Sequence, residues 1–391
     1  MKNTINVEDL KVAFKYKSNS ELKYTFYIFK ILQYPRLLKL LMNLTNGILK
    51  YNLPLKFLIK GTVFKIFCAG ESINDAFIQI KKLGNYKVKS VLDYVSEGEK
   101  TDSAFNRNAE IIIKNINKLG KEAPDNYVSV KISGLEDPDF LKEINSSVFP
   151  TNTLYVKRFE TLLERVNLIC KAASENHVVV FIDAEDRYMQ DILDAITEYM
   201  MQKYNKQQVI VFNTLQMYLK DRPKYIQRLI EDAETEKYIP GIKLVRGAYV
   251  EKEREIAQKE NRKSPVYDTK QQTDNAFNEA IEVCLSHYPK IRTCVATHND
   301  ESTTHTIECM KKYNIENNAV KFSQLLGMSD NLTFNLAANG YNTSKYLPYG
   351  EVKKAIPYLI RRSEENSSIN GQISRELMRL KIEMKRRKLS N

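Results

Sequence analysis

Long apolar runs are missing from this chain. Leu40 to Leu49, an uncharged and largely apolar stretch between Lys39 and Lys50, is about half of the ~20 residues a membrane-spanning helix needs, and no uncharged stretch exceeds the 14 residues of 331–344. The first twenty residues carry Lys2, Glu8, Asp9, Lys11, Lys15 and Lys17 without an apolar core, so no secretory signal is expected. Cysteine is scarce and odd in number: Cys68, Cys170, Cys284, Cys294 and Cys309, with no CxxC pair. That pattern predicts reduced, mostly structural thiols in a cytosolic setting and no disulfide framework. No GxG occurs anywhere, which counts against the Gly-rich phosphate turn of a doubly wound dinucleotide fold. No GxSxG elbow is present, so a Ser/His/Asp nucleophile lacks support. His298 has no second ligand at metal-binding spacing, and no metal is expected.

What is present is enough for a large folded body. The chain has 391 residues, 43% of them hydrophobic, which excludes dominant disorder and allows two or three domains or one large barrel with an appendage. The formal net charge is +12, and it is unevenly placed. Residues 1–70 hold net +9 and residues 371–391 net +5, leaving the middle near neutral. A nucleic-acid groove would run through the folded body, so no nucleic-acid partner is expected. Basic ends suit a membrane surface or another acidic partner, or simply a solvated surface.

The pattern changes along the chain. Residues 1–85 are rich in Lys, Leu, Ile, Phe and Tyr with few turn signals, and segments such as Tyr24–Lys39 predict amphipathic helices. From about residue 88, short β-branched runs alternate with longer amphipathic stretches. The runs are 89–95, 127–133, 177–185, 208–214, 241–248, 292–299, 319–324 and 343–349. Helical stretches between them include 105–119, 156–176, 192–204 and 275–287. Eight runs in this rhythm predict an α/β (β/α)8 TIM-like barrel over residues 86–370. An N-terminal helical region over 1–85 and a basic C-terminal helix or tail over 371–391 complete the expected organisation.

In such a barrel, chemistry belongs at the C-terminal ends of the strands. Polar residues stand there repeatedly: Lys131, Asp183 and Glu185, Gln216, Lys243 and Arg246, His298 and Asn299, Gln324, Tyr346. Asp183 and Glu185 are acid/base candidates. Two apart on a strand, they would share a face and either look into the mouth or cap it. His298 suits hydrogen bonding to a cofactor, or capping. Tyr358, Arg361, Arg362 and Glu365 fall on one helical stripe. The adjacent guanidinium groups offer planar forks for a carboxylate or phosphate, or a surface pair tied to Glu364 and Glu365.

Together these segments resemble the proline dehydrogenase family. The resemblance rests on YVSVKIS, FIDAED, the Gln216 segment, GIKLVRGAYVEKER, VATHN, FSQLLGM, KYLPYG and PYLIRRSEEN, in that order over about residues 60–370. It implies a distorted barrel holding FAD. It also implies oxidation of L-proline to Δ1-pyrroline-5-carboxylate, with electrons passed to a quinone, the first step of proline catabolism. The chain is similar to the monofunctional, eukaryote-like branch, and departs from other branches at Lys243 and Val250. By resemblance, Arg361 and Arg362 clamp the substrate carboxylate, Lys131 adds positive charge, and Tyr346 and Tyr358 line the ring pocket. The aromatic at Tyr346 leaves little room for a ring hydroxyl, which favours proline over hydroxyproline. Asp183, Gln216, Lys243, Arg246, Gly247, Ala248, Tyr249, His298, Gln324 and Glu365 fall around FAD, with Lys131, Asp183, Lys243 and Arg246 carrying the catalytic role. The alternatives are a hydroxyproline dehydrogenase on the same scaffold and a non-enzymatic basic binding protein. The expected location is cytoplasmic, peripheral on the inner face of a membrane. That contact would be made by Tyr24, Phe26, Ile28, Phe29, Leu37, Leu38 and Leu41.

Overall fold

The computed structural model describes residues 5–34, 63–95, 99–145, 153–355 and 370–389. Its strands are β1 (Lys89–Tyr94), β2 (Tyr127–Val130), β3 (Val179–Ile182), β4 (Val211–Gln216), β5 (Gly241–Val245), β6 (Arg292–Ala296), β7 (Lys321–Leu325) and β8 (Asn342–Tyr349). They close into one barrel in chain order, and the expected fold class is the observed one. β1 pairs with β8, and β2 to β6 with their neighbours, in parallel, as Lys89↔Ser344 and Thr214↔Lys243 illustrate. Strands covered on both faces bury their whole length, which is why β2 and β4 are buried from end to end and their composition lacks alternation.

The chain divides into two units, residues 96–322 and residues 1–95 with 323–391. In the first, long amphipathic helices such as Asp102–Glu122 and Arg187–Tyr204 follow β1 and β3 in sequence. A buried ion pair, Arg222 to Asp194 at 2.6 Å, joins two of its helices. Desolvation raises the Asp194 carboxyl, and Arg222 draws it back down. All five cysteines are free and buried. Burial pushes the thiols of Cys68, Cys170, Cys284 and Cys294 up to about 12.

In the second unit, helix Asn19–Leu32 starts on a Ser18–Glu21 capping box. It packs against helix Asn370–Arg386. The apolar face expected to meet a membrane is spent inside. Phe26 and Phe29 lie in a core with Phe14, Leu22, Leu377, Leu380 and Met384, while Tyr24 and Ile28 pack against it. The physical reason is that the basic C-terminal segment is itself amphipathic and offers a matching apolar stripe. Leu37, Leu38 and Leu41 lie outside the described residues. Among the described residues, no helix is long and apolar enough to cross a membrane, and no cluster of His, Cys, Asp and Glu could hold a metal.

Candidate active site

In the unit spanning residues 96–322, three charged side chains meet. Lys131 follows β2 directly, Asp183 follows β3, and Lys243 stands in the middle of β5. The Asp183 amide donates to the Val130 carbonyl at 2.9 Å, which fixes the relative height of the two strand ends. Its carboxylate then bridges both lysines: Oδ1 lies 2.6 Å from Lys243 Nζ and Oδ2 3.3 Å from Lys131 Nζ. Lys243 is almost fully buried, and Lys131 and Asp183 nearly so. Two cations on one anion leave a net positive charge where water screens little, a setting that favours a negative ligand group.

Glu185 does not share Asp183's environment. β3 ends at Ile182, so strand alternation no longer applies. Glu185 accepts from the Ser133 amide at 3.0 Å and from the Ser133 hydroxyl. The same web orients Gln216, whose side-chain amide donates to the Glu185 carbonyl at 2.8 Å. Ser133 carried no sequence signal, because its role depends on the 3₁₀ turn Ile132–Gly134.

Arg246 is not brought to the lysine cluster. It lies just past the end of β5, and its side chain is engaged elsewhere. Its guanidinium donates to Asp274 at 2.6 Å, Thr297 Oγ1 at 2.7 Å and Ser302 Oγ at 2.9 Å, and lies over the Phe277 ring. The residue after it, Gly247, has φ +114°, a conformation essentially reserved for glycine. A Cβ there would lie 1.7 Å from the Tyr218 ring. Tyr218 is buried beneath the turn, its amide bonded to the Arg246 carbonyl at 2.9 Å. Burial, with Glu253 adding to it, holds the hydroxyl above its ordinary range, and that oxygen has no hydrogen-bond partner. Gly247 itself is exposed and Ala248 and Tyr249 half-buried, so bare backbone faces outward on a rigid aromatic floor. Sequence reading missed Tyr218, which lies two residues past Gln216.

His298 follows β6 and is half-buried. The capping role belongs to Asn299, whose side chain accepts from the Ser302 amide at 2.8 Å. In the other unit, Gln324 on β7 and Tyr346 on β8 are both buried. Gln324 Oε1 accepts from Thr333 Oγ1 at 2.8 Å, and the Tyr346 carbonyl accepts from the Leu326 amide at 3.1 Å. Tyr358, Arg361, Arg362 and Glu365 lie outside the described residues.

An exposed glycine turn over Tyr218, at the end of the strand that carries the buried lysine cluster, leaves backbone open to a flat anionic cofactor such as a flavin. Comparison with known proteins supplies the family. The family described as proline dehydrogenase matches residues 76–375. Proline dehydrogenase 1, mitochondrial, of Dictyostelium discoideum is 31% identical, with 95% of this chain and 73% of that protein covered. The Xenopus laevis protein named hydroxyproline dehydrogenase is 27% identical, with 96% of this chain and 89% of that protein covered. The crystal structure of proline utilization A (PutA) from Bdellovibrio bacteriovorus inactivated by N-propargylglycine is similar in fold, with a TM-score of 0.72 at 21% identity. That match takes in 91% of this chain but only 38% of the PutA chain. The matched family spans most of the sequence: the chain belongs to the proline dehydrogenase family.

Proposed function

We propose that this protein oxidises L-proline to Δ1-pyrroline-5-carboxylate, with FAD as its cofactor and a quinone as the final electron acceptor. The observation that carries the reading is the exposed Gly247 turn on Tyr218, at the end of the strand that holds Lys243 against Asp183. When bound, FAD supplies the hydride acceptor. Substrate oxidation moves two electrons and a hydrogen from the ring carbon beside the amine, and the nitrogen lone pair closes the new C=N bond. The amine must therefore be neutral before the step.

The chain's residues divide the remaining work. The bare backbone of Gly247, Ala248 and Tyr249 receives the flat group closely, and Arg246 holds that turn through Asp274, Thr297 and Ser302. Lys243 and Lys131, aimed by Asp183, stabilise negative charge as it gathers. Gln216, His298, Gln324 and Glu365 complete the cofactor contacts. Arg361 and Arg362 grip the substrate carboxylate with Lys131 adding charge, and Tyr346 and Tyr358 confine the ring. The purified protein should be yellow, hold about one FAD per chain and bleach on anaerobic addition of proline. Folded but colourless protein that cannot be reconstituted with FAD would overturn the reading and favour a basic binding protein.

The Xenopus relative's name favours a second reading, hydroxyproline oxidation. The aromatic Tyr346 argues for proline, so turnover should be faster with proline than with hydroxyproline; the reverse order would select the second reading. Arg361→Met and Arg362→Met should each weaken the carboxylate grip. A hydrogen bond to a charged group contributes about 1.5–3 kcal/mol, so kcat/KM should fall roughly ten- to a hundredfold. Unchanged kinetics in both variants would return them to an ordinary surface pair.

Electron transfer to a quinone calls for a membrane contact. With Phe26 and Phe29 in the core, the support comes from the outer face of helix Asn370–Arg386. There Met378 and Ile382 are 57% and 50% exposed, among the exposed residues Arg375, Lys381 and Lys385. Apolar area ringed by cations is what an anionic interface binds. The protein should float with anionic liposomes at low salt and be released as salt screens the charges over about 10 Å. Met378→Glu with Ile382→Glu should abolish flotation; flotation equal to the wild type would remove this face from the account.

A further inference from the structure

We propose that Lys345 is a positioning residue, a clamp on the turn after β7 that holds Gln324 and Tyr346 in place; the proposal rests on the functional roles given to those two residues above. Lys345 precedes Tyr346 on β8, and alternation sends it to the opposite face. It is completely buried. An ammonium there is tolerated only with its donors filled and its charge matched. Both conditions are met within one short segment. Nζ donates to the Leu325 carbonyl at 3.4 Å and to the Met328 carbonyl, and lies 2.9 Å from Asp330 Oδ1.

The clamped segment turns through two left-handed residues. Gly327 takes φ +79° freely, but Ser329 at φ +50° is a strained position that persists only where its surroundings over-determine it. They are held from two further sides. Tyr16 donates to Asp330 Oδ2 at 2.7 Å, and Lys17 lies 3.7 Å from the same oxygen. From helix Asn370–Arg386, Glu376 accepts from the Ser329 amide at 2.9 Å and Gln372 donates to the Ser329 hydroxyl at 3.0 Å.

What the turn fixes lies at both its ends. Gln324 immediately precedes it and bonds Thr333, on the helix that Asp330 begins. Leu326, inside it, donates to the carbonyl of Tyr346. A donor set from a single lysine thus ties β8 to the turn through the side chain on one face, while the backbone of the next residue ties it on the strand edge.

Lys345→Met alone leaves Asp330 a buried anion short of its main counter-charge and is expected to fold poorly. The decisive protein is Lys345→Met with Asp330→Asn, which removes both charges while the Asn oxygen still accepts from Tyr16. Its melting temperature should stay close to that of the wild type. Hydrogen exchange in segments 323–330 and 342–349 should quicken by about tenfold or more, with the rest of the chain unchanged. Apparent Kd for FAD and KM for proline should each rise about tenfold, with kcat changing far less. Wild-type exchange, FAD affinity and KM in the double variant would overturn the proposal. So would acceleration spread evenly over the chain with activity falling only as folded protein is lost, since that marks a structural role. A wild-type protein that takes up no FAD would defeat the functional reading instead, and the exchange comparison would still decide whether Lys345 clamps the turn.

Discussion

Asp183→Asn should lower the melting temperature by about 5–10 °C and cut kcat/KM on the order of a hundredfold. The substitution changes little in shape, so the effect is electrostatic. In the wild type one carboxylate neutralises Lys243 at 2.6 Å and Lys131 at 3.3 Å. Removing it takes from Lys243, 4% exposed, the carboxylate that lies 2.6 Å away. Breaking a buried pair from one side costs about 3–5 kcal/mol. Lys131 is 11% exposed and regains some hydration, so the lower end of that range applies. At roughly 2–4 °C per kcal/mol for large domains, the expected shift follows. Lys131→Met added to Asp183→Asn should recover part of the stability, because one cation is gone. It should recover none of the activity, because Lys243 is still unaimed. Thermal denaturation and steady-state kinetics on both proteins check this, and a single variant with wild-type values in both would show that the ion chain does nothing for the fold or for turnover.

Gly247→Ala should weaken FAD binding by about a hundredfold or more while leaving the barrel folded. Two separate costs act on one added methyl. A non-glycine residue at φ +114° is strained by about 1–3 kcal/mol. The new Cβ also falls 1.7 Å from the Tyr218 ring, so the turn must lift off its floor. A hundredfold corresponds to about 2.7 kcal/mol, within reach of the strain and the clash together. Tyr218→Ala in the same chain removes the clash and keeps the strain, so it should restore affinity only in part. Full restoration would assign the whole effect to sterics. Wild-type affinity in Gly247→Ala, read by flavin fluorescence titration, would move the cofactor away from this turn.

Eight strands were legible in the sequence because parallel strands buried on both faces are written as β-branched runs. Their ends were not. The run at 127–133 stops being strand at Val130, since Ile132–Gly134 turns into 3₁₀ geometry. The run at 177–185 stops at Ile182, which freed Asp183 and Glu185 to face different partners. Ladder hydrogen bonds from the neighbouring strand decide such ends, and composition does not record them. Helix Asp330–Ala338 is buried nearly all round, so it offers no amphipathic stripe to read. At the candidate site, Lys131 and Asp183 could be named because charge at strand ends is conspicuous, and Lys243 because a lysine within a buried apolar strand is. Tyr218 could not, since its importance comes from the backbone angle of Gly247, far along the chain. Lys345 was hidden differently: it lies inside a motif noticed for the aromatic residue beside it.

One unit of this protein is assembled from opposite stretches of the chain, and that has a consequence during synthesis. Helix Asn19–Leu32 gains its packing partner only when helix Asn370–Arg386 has been made. At 5–20 residues per second, roughly 350 residues of translation take about 18–70 s. Throughout that interval Phe14, Leu22, Phe26 and Phe29 lack the neighbours Leu377, Leu380 and Met384 that later cover them. The nascent chain therefore carries an adhesive patch for most of its time on the ribosome. A holding chaperone or the ribosomal surface has that long to occupy it, and a premature stop before Asn370 would leave the patch uncovered, marking the product for proteolysis rather than assembly.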